Sequence, residues 1–409
     1  MKETTARETA RNWALLLACC QEDATALGNL WTAEESPRHW QSLAAMAQQE
    51  GLAPLLYWRL RQAGLLNTIP LPVTESLRQK YYRTGAAAAV CTSQLHDLLP
   101  RCRKAGVMVI ILKGAVLAEL HYPNPALRPM SDIDILVKHH DLDDLALILA
   151  QAGYRTDTPL PDGQGTPPTA YLTTRLYRRQ DGGGLPLHVH THLLNSTVPN
   201  DYFLANFPLA PIWAAAKSVL IAGTEALILD PRHQVLHLAE HSLRVTHSLT
   251  RLQYLYDIDR TIRNSGHETD WQALCDEATA WGMASFLYHP LALASQWLKT
   301  PLPPSVLNRL RPMKAGLLER LFALLLAGNI RRPGLSYLLH LSRQPSGKAQ
   351  LAFLARTAFP PRQVIARRNG ISLDQVGARA YLRRVAEIAA ALMTTLHRSA
   401  NQLPEEGPS

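Results

Sequence analysis

The chain has 409 residues and a mass of 45.4 kDa, and 47% of its residues are apolar while 18% are charged. This composition excludes a disordered or fibrous chain and provides enough length for two or three domains. Lys and Arg number 42 against 33 Asp and Glu, which gives a net charge of +9. Such a balance favours anionic partners such as nucleotides or nucleic acid, although arginines scattered over an ordinary soluble surface would produce the same balance.

The cysteines indicate a reducing compartment. There are five of them and none forms a C-x-x-C pair, so they predict neither a disulfide framework nor a zinc ribbon. The apolar stretch at residues 13–20 is short and makes a poor signal peptide. No apolar run approaches the ~20 residues that a membrane span requires. The sequence therefore predicts a cytoplasmic protein without membrane insertion.

The pattern of apolar residues changes near residue 99. Residues 1–98 predict helices, because their apolar residues repeat at helical spacing. Residues 107–112 form a continuous, mostly β-branched run that predicts a buried strand. A short helix is expected at residues 115–121, and the prolines that follow end it.

Residues 131–137 predict a second strand, since alternate side chains of a strand share a face. Its apolar residues Ile133, Ile135 and Val137 would face the core, and Asp132 and Asp134 would project together from the other face. An amphipathic helix is expected at 141–152 and a Pro/Gly-rich loop at 159–168.

A third strand is expected at residues 185–194, after a glycine-rich turn. There Leu187, Val189 and Leu193 alternate with His188, His190 and His192. Strand signals fade after about residue 229, and helical patterns continue to about residue 398. The predicted fold is α+β, with a mixed β-sheet core at residues 99–229, helical regions at 1–98 and 230–400, and a frayed tail at 401–409.

The chemistry concentrates around the second strand. Two aspartates at i and i+2 of a strand can converge on a divalent cation, and Mg²⁺ is usually held by one or two carboxylates plus substrate phosphates. A strand followed by Lys113-Gly114 and a helix places backbone N–H groups near a phosphate, and Arg128 could hold a phosphate in bidentate fashion. Each piece alone is common, since D-x-D is most often a solvated face. The ordered set within residues 107–137 is much more specific.

Residues 111–137, ILKGAVLAELHYPNPALRPMSDIDILV, resemble the signature of the uncharacterised nucleotidyltransferase family, the type-5 NTP transferases of the DNA polymerase β-like superfamily. Residues 39–60, 227–262 and 359–370 are similar to other family segments, so the resemblance covers most of the chain. It implies a mixed sheet backed by helices, with the active site at the exposed face of the aspartate strand.

The resemblance also implies roles for particular residues. Asp132 and Asp134 would be the catalytic residues that bind Mg²⁺ or Mn²⁺ carrying an NTP such as ATP. Lys113 and Gly114 occupy the place of the phosphate loop, and Arg128 matches a basic residue of the family. The implied reaction moves an NMP from the NTP to an unidentified acceptor, which would be a small molecule, a protein or an RNA, and releases pyrophosphate.

One departure from the family pattern concerns the third carboxylate. His190 matches a family histidine, and His188 stands where the family usually has an acidic residue, which makes His188 a candidate metal ligand and His190 a candidate residue lining the site. Imidazole suits Zn²⁺, Mn²⁺ or Ni²⁺ better than Mg²⁺. The change would alter metal preference, abolish transfer, or require another acid such as Asp181. His188, His190 and His192 together would span ~13 Å of strand, which is too far for one tetrahedral ion.

Two further motifs lie on predicted helices. His237, Glu240 and His241 match an inverted zinc-protease pattern, H-x-x-E-H, although such a set also commonly faces a core edge or contacts a nucleotide or an acceptor. Asp257 and Asp259 form a second D-x-D, but residues i and i+2 of a helix point apart, so capping or ion pairing is expected.

Two other functions stay open. The missing third carboxylate is compatible with a catalytically degenerate nucleotide-binding or interaction module. A basic nucleic-acid-binding protein would use the late arginines, although these residues lack interleaved aromatics and are typical of solvated helix faces. The arginines concerned are Arg362, Arg367, Arg368, Arg379, Arg383 and Arg384.

Overall fold

The computed structural model describes residues 2–22, 25–30, 37–156, 174–194, 198–199, 201–221, 223–245, 247–313, 315–369, 371–372, 374–386 and 388. All structural statements below concern these residues. The loop predicted at 159–168 and the tail predicted at 401–409 lie outside them.

A group of helices precedes the sheet. The helices are α1 Lys2–Cys19, α2 Thr25–Leu30, α3 Pro37–Gln49, α4 Ala53–Gln62 and α5 Leu71–Lys104. The last of these, α5, has 34 residues and continues past residue 98, where the first domain boundary was expected. A helix of this length backs the sheet and places residue 105 at the start of the strand-forming part. The division into three regions remains a prediction.

Seven strands form one mixed sheet. They are β1 Val109–Leu112, β2 Ile133–Val137, β3 Tyr154–Thr156, β4 Thr174–Arg179, β5 Leu187–His190, β6 Lys217–Ile221 and β7 Thr224–Ile228. Their order across the sheet is β3-β4-β5-β2-β1-β7-β6. The β2–β5 and β1–β7 pairs are parallel, and the other pairs are antiparallel.

Short elements connect the strands. They are α6 Gly114–Val116, a π-helical turn at Leu117–His121, 3-10 turns at Pro125–Leu127 and His139–Asp141, α7 Leu142–Gln151, α8 Asp201–Asn206 and α9 Ala210–Ala215. The helix expected at 115–121 is therefore α6 together with the π-helical turn, and the helix expected at 141–152 is α7.

A second group of helices follows the sheet. Its members are α10 Pro231–Ser242, α11 Leu252–Ser265, α12 Trp271–Ala280, α13 Ala284–Leu298, α14 Pro304–Leu310, α15 Leu317–Ala327, α16 Tyr337–Ser342, α17 Gly347–Ala358 and α18 Arg362–Asn369. Asp230 begins α10 by accepting a hydrogen bond from the backbone N–H of His233, as expected of an N-cap aspartate.

Both faces of the central strands are covered, because every residue of β1 and β2 is buried. Ile110 and Leu136 pack into a core with the helices before and after the sheet. Ile111, Ile133 and Ile135 pack into a second core with α5 and α7. This alternation confirms that the apolar residues of β2 share one face, and it puts Asp134 on the opposite face with Leu136.

The structure confirms the α+β class and corrects several element boundaries. The second strand begins at Ile133, so Asp132 lies just before it. The third strand ends at His190, so His192 is not on it, contrary to expectation. Strands β3, β4, β6 and β7 were not predicted; β4 is rich in basic residues and lacks an apolar run, and β3 has only three residues.

Two predictions about the chain as a whole have outcomes. All five cysteines are free and buried, which confirms that they form no disulfide framework. Within the described ranges, no helix has both the length and the apolar character needed to cross a membrane.

Candidate functional site

The chain turns sharply where β1 ends. Lys113 has φ 47° and ψ −115°, a conformation that is costly for a residue with a Cβ and that is retained only where the surroundings enforce it. A Cβ atom at Gly114 would lie 3.0 Å from Arg128 Nη1 and 3.4 Å from the Cβ of Met130. A side chain at this position would therefore require Arg128 to shift by a few tenths of an ångström, which its two hydrogen bonds to Asp257 oppose.

Strand register brings Lys113 to Asp134. Leu112 is the antiparallel partner of Asp134, so the next residue of the chain can reach the same carboxylate. Lys113 Nζ lies 2.7 Å from Asp134 Oδ1, and both side chains are more than nine-tenths buried. The lysine that was predicted to contact a phosphate therefore forms a buried ion pair with one of the predicted metal ligands.

Two histidines of β5 complete the cluster. His188 is the parallel partner of Asp134 in the sheet. Its Nδ1 lies 3.1 Å from Asp132 Oδ2 and 3.9 Å from Asp134 Oδ1. His190 is fully buried, and its Nε2 lies 2.6 Å from Asp134 Oδ1. The structure thus brings together Asp132, Asp134, His188, His190 and Lys113.

The cluster has a buried end and an open end. Asp134 and His190 are buried, whereas about 30% of the side chains of Asp132 and His188 is exposed. A ligand arriving from solvent would meet Asp132 and His188 first. This arrangement gives the cluster a mouth at the edge where β2 and β5 begin.

The carboxylates of the cluster are ionised. Burial alone would raise the pKa of Asp134, but the Lys113 ammonium and the hydrogen bond from His190 hold it well below its usual range. Burial would also raise the pKa of Asp132, and the contact with His188 outweighs that effect and lowers it. Burial lowers the pKa of His190 to about 4. Because an ionised carboxylate only accepts hydrogen bonds, the neutral His190 donates its Nε2–H to Asp134.

The donor set fits a divalent cation. Among the described residues, Asp134, His188 and His190 offer ligand atoms that all lie within 4.8 Å of one another. Asp132 adds a second carboxylate beside His188. Carboxylate oxygens and imidazole nitrogens are both ordinary ligands of divalent ions.

Arg128 lies behind the turn and not at the mouth. Its Nε and Nη2 donate to the two carboxylate oxygens of Asp257 at 3.0 and 2.9 Å. Tyr122 donates its hydroxyl hydrogen to the same carboxylate at 2.7 Å. The bidentate edge that was expected to hold a phosphate is thus occupied by Asp257. Asp257 balances the charge of this guanidinium, whose Nη1 stays next to Gly114.

The H-x-x-E-H helix borders the cluster. Glu240 is paired with Arg244, which also donates to the carbonyl of Leu193 at 2.7 Å. Burial, with the nearby Lys113 charge, holds the pKa of His237 and His241 well below 6.5. The pairing of Glu240 with arginine removes the carboxylate that a zinc-protease site would need.

Several other predicted residues lie apart from the cluster. His192 Nε2 is 3.2 Å from the carbonyl of Phe207. The carboxylate of Asp181 pairs with Arg179 at 3.0 Å and accepts from the backbone of its own turn, and its role as the missing acid stays a prediction. Arg384 is buried and bonds Thr357 and Tyr337, which removes it from any basic surface.

Sequence reasoning missed Asp257 as the partner of Arg128, and it missed Tyr122 and Arg244. Asp257 was expected to form an ion pair, which is confirmed, but no spacing rule identifies a partner 129 residues away.

Cys102, Met108 and Leu227 help line a cavity of about 230 Å³. It lies at the opposite end of β1 from the cluster.

A family profile described as "uncharacterised nucleotidyltransferase" matches residues 36–299, which is more than half of the chain. The chain belongs to this family. The match includes the motif at 111–137 and the similar segments at 39–60 and 227–262, whereas the segment at 359–370 lies beyond it. Nucleotidyl transfer is therefore the activity class of this family, and the cluster lies within the matched residues.

Comparison with other proteins adds little to this assignment. The antibiotic-resistance factor ANT(2'')-Ia, compared through its solution structure, is 14% identical in sequence to this chain. The match covers 51% of this chain and 97% of that chain, with a TM-score of 0.32. A likeness this weak identifies no residue of the site. No protein of curated function matches the chain.

Proposed function

We propose that this protein is a metal-dependent nucleotidyltransferase that moves an NMP from an NTP to an acceptor and releases pyrophosphate. One observation carries the proposal: Asp132, at the open end of the cluster, and Asp134, at its buried end, both approach His188 Nδ1 in a chain of the nucleotidyltransferase family. Asp132, Asp134 and His188 would hold the ion, Mg²⁺ or Mn²⁺ in the first instance. A bound divalent ion would offset phosphate charge and polarise the phosphoryl oxygens.

The chain's own residues supply the remaining functions. The Lys113-Gly114 turn offers an ammonium and a backbone held free of side-chain bulk, which suits the β- and γ-phosphates. His190 holds the Asp134 carboxylate in place through its 2.6 Å hydrogen bond. Arg128 is locked on Asp257 and supports the Gly114 turn from behind.

The proposed reaction is an in-line displacement at the α-phosphorus. An acceptor oxygen forms a bond to this phosphorus, and the bond to the oxygen bridging the α- and β-phosphorus atoms breaks. Pyrophosphate leaves with that oxygen, and the acceptor's proton passes to solvent through the open mouth beside Asp132. The acceptor would be a small molecule, a protein side chain or an RNA end.

The five free buried cysteines support a reducing compartment such as the cytoplasm.

A transfer assay tests the proposal. The protein is incubated with each NTP labelled at the α-phosphate, with Mg²⁺ or Mn²⁺ and an extract of small molecules, proteins and RNA. We expect a labelled product that Asp132→Asn reduces by at least ~100-fold, because the variant removes a charge that offsets several kcal/mol in the transition state. Asp143→Asn, a change of the same type at an exposed residue of α7, is the matched control. Equal labelling by Asp132→Asn and wild type would refute the proposed role of Asp132.

A second candidate is a nucleotide-binding module without turnover. It is favoured by the two hydrogen-bond donors, Lys113 and His190, that already occupy Asp134 Oδ1. In that case the protein binds NTP saturably, Asp132→Asn leaves binding nearly unchanged, and no fraction of the extract becomes labelled.

A further inference from the structure

The candidate ligand atoms around His188 are two oxygens and one nitrogen. Asp132 Oδ2 and His188 Nδ1 are 3.1 Å apart, and His188 Nδ1 and Asp134 Oδ1 are 3.9 Å apart. An ion about 2.1 Å from two ligand atoms places them about 3.0 Å apart in octahedral and about 3.4 Å apart in tetrahedral geometry. The Asp132–His188 spacing lies between these two values, whereas the His188–Asp134 spacing exceeds the larger one by about 0.5 Å, so the His188 and Asp134 side chains would have to move toward each other for all three to contact one ion.

His190 has a different role. Its Nε2–H is donated to Asp134 Oδ1, the oxygen that also accepts from Lys113 and lies 3.9 Å from His188 Nδ1, and the His190 side chain is fully buried. Donation of the ring hydrogen to a ligating carboxylate is the usual arrangement of a residue that orients a ligand. His188, at the half-exposed mouth, is the histidine available for coordination.

The charge of the site disfavours an ion that binds by electrostatics alone. Asp132 and Asp134 contribute two negative charges, and Lys113 at 2.7 Å cancels one of them. Mg²⁺ prefers oxygen ligands and loses its waters reluctantly. Imidazole suits transition-metal ions such as Zn²⁺, Fe²⁺ and Ni²⁺, and the affinity of a site with nitrogen and oxygen ligands is lowest for Mn²⁺ and rises through Fe²⁺, Co²⁺ and Ni²⁺ to Cu²⁺.

We propose that Asp132, Asp134 and His188 form a mixed nitrogen–oxygen site that selects a divalent transition-metal ion over Mg²⁺, with His188 Nδ1 as the selecting ligand. This inference rests on the proposed function, since it assumes that a divalent ion binds at this site. It goes further by naming the class of ion and the residue that chooses it.

Direct metal binding tests the inference. Mn²⁺ binding to the full-length protein is followed by electron paramagnetic resonance, and Mg²⁺ is measured by its competition with Mn²⁺. Pulsed measurements on the Mn²⁺-loaded protein detect coupling to an imidazole ¹⁴N. The variant His188→Asp restores a third carboxylate, and His139→Asp makes the same change at an exposed residue beyond the far end of β2.

We expect ¹⁴N coupling in the wild type and in His139→Asp, and its loss in His188→Asp. We also expect His188→Asp to lower the ratio of Mn²⁺ to Mg²⁺ affinity by at least ~10-fold, mainly through tighter Mg²⁺ binding. Coupling that persists in His188→Asp, or an unchanged affinity ratio, would overturn the assignment of His188.

The outcomes separate this inference from the proposed function. Nucleotidyl transfer without ¹⁴N coupling would overturn the nitrogen site and leave the transferase standing. Coupling that depends on His188, in a protein that labels no acceptor, would support the metal site and count against transfer. Absence of Mn²⁺ binding at millimolar concentration would overturn the inference, while the labelling assay would decide the activity independently.

Discussion

The chain carries the pattern D-x-D twice, and the two pairs differ in what surrounds them. Asp132 and Asp134 lie at the start of a strand, and their carboxylates share the contact of one imidazole, His188. Asp257 and Asp259 lie on helix α11, where their side chains diverge. Asp257 reaches Arg128 and Tyr122, whereas Asp259 reaches Arg263 and Thr300.

The partners explain why one pair can bind a ligand and the other stabilises the fold. Asp257 is held by Arg128, whose planar fork satisfies the carboxylate through two hydrogen bonds, and Asp259 is held by Arg263, whose single Nε–H is shared between the two carboxylate oxygens. In the strand pair, Asp134 is held by Lys113, a single ammonium on a flexible stem, and Asp132 remains partly exposed. A ligand can displace a lysine or solvent from a carboxylate far more easily than it can displace a buried arginine that donates two hydrogen bonds.

The largest effect is expected for a substitution of Asp257, one of the two aspartates on α11. Asp257→Asn removes the charge facing Arg128, which is itself buried. Removing one partner of a buried ion pair costs about 3–5 kcal/mol, because the other charge stays desolvated and unpaired. Urea unfolding at pH 7 measures the loss, and the thermal midpoint should fall with it.

Two controls define this first prediction. Asp132→Asn, on the half-exposed strand position, should change stability by less than about 1 kcal/mol. The double variant Arg128→Met with Asp257→Leu should regain much of the stability, since it leaves no unpaired charge. A loss below about 1 kcal/mol in Asp257→Asn would show that the two pairs do not differ in the way described.

A smaller and two-sided effect is expected at Lys113. Lys113→Met frees Asp134 Oδ1 from a competing cation, so Mn²⁺ binding in the absence of nucleotide should tighten by about 10-fold, which corresponds to ~1.4 kcal/mol. NTP binding should weaken by a similar factor, because the ammonium proposed to contact the phosphates is lost. Electron paramagnetic resonance reports the first change and titration calorimetry the second.

Lys104→Met, at an exposed residue near the end of α5, is the control for charge removal at Lys113. It should leave both affinities unchanged. Weaker Mn²⁺ binding by Lys113→Met would mean that the lysine orients Asp134 and does not compete with the ion. Asp132 and Asp134 would then resemble the two aspartates of α11 more closely than proposed.

Local patterns predicted the strand pair well and its surroundings poorly. The alternation of Ile133 and Ile135 with the aspartates was enough to place both carboxylates on one face, and position within the family motif singled out His188. The pairing of Lys113 with Asp134 depends on the antiparallel register of β1 and β2. The sequence does not display that register, because the two strands are joined by 20 residues of turns and short helices.

Long-range partners explain the remaining errors. Arg128 was interpreted as a phosphate ligand because a basic residue near two aspartates fits that role. The structure places α11 against it, and a carboxylate 129 residues later takes its bidentate edge. The three histidines of residues 188–192 were expected to share a face, but the strand ends at His190 and the chain then bends, so His192 turns toward Phe207.

The smallest effect, and the sharpest test of how the two aspartates of α11 differ, is expected at Asp259. Burial raises the pKa of Asp259 despite its hydrogen bonds to Thr300 and Arg263. The folded state therefore binds this proton more readily than the unfolded state, and the group costs stability as pH rises. Asp259→Asn lacks that cost, and Arg263 keeps its hydrogen bonds to the carbonyls of Leu298 and Lys299.

The unfolding free energies of the variant and the wild type should therefore differ less at pH 7 than at pH 4.5. The change in this difference between the two pH values should be on the order of 1 kcal/mol. Urea titrations at the two pH values measure this difference, and Asp97→Asn, at an exposed position of α5, provides the reference for a carboxylate without burial. A gap between Asp259→Asn and wild type that widens as pH rises would mean that Arg263 dominates over burial. Asp259 would then stabilise the fold as Asp257 is proposed to do, and the distinction within α11 would disappear while that between helix and strand remained.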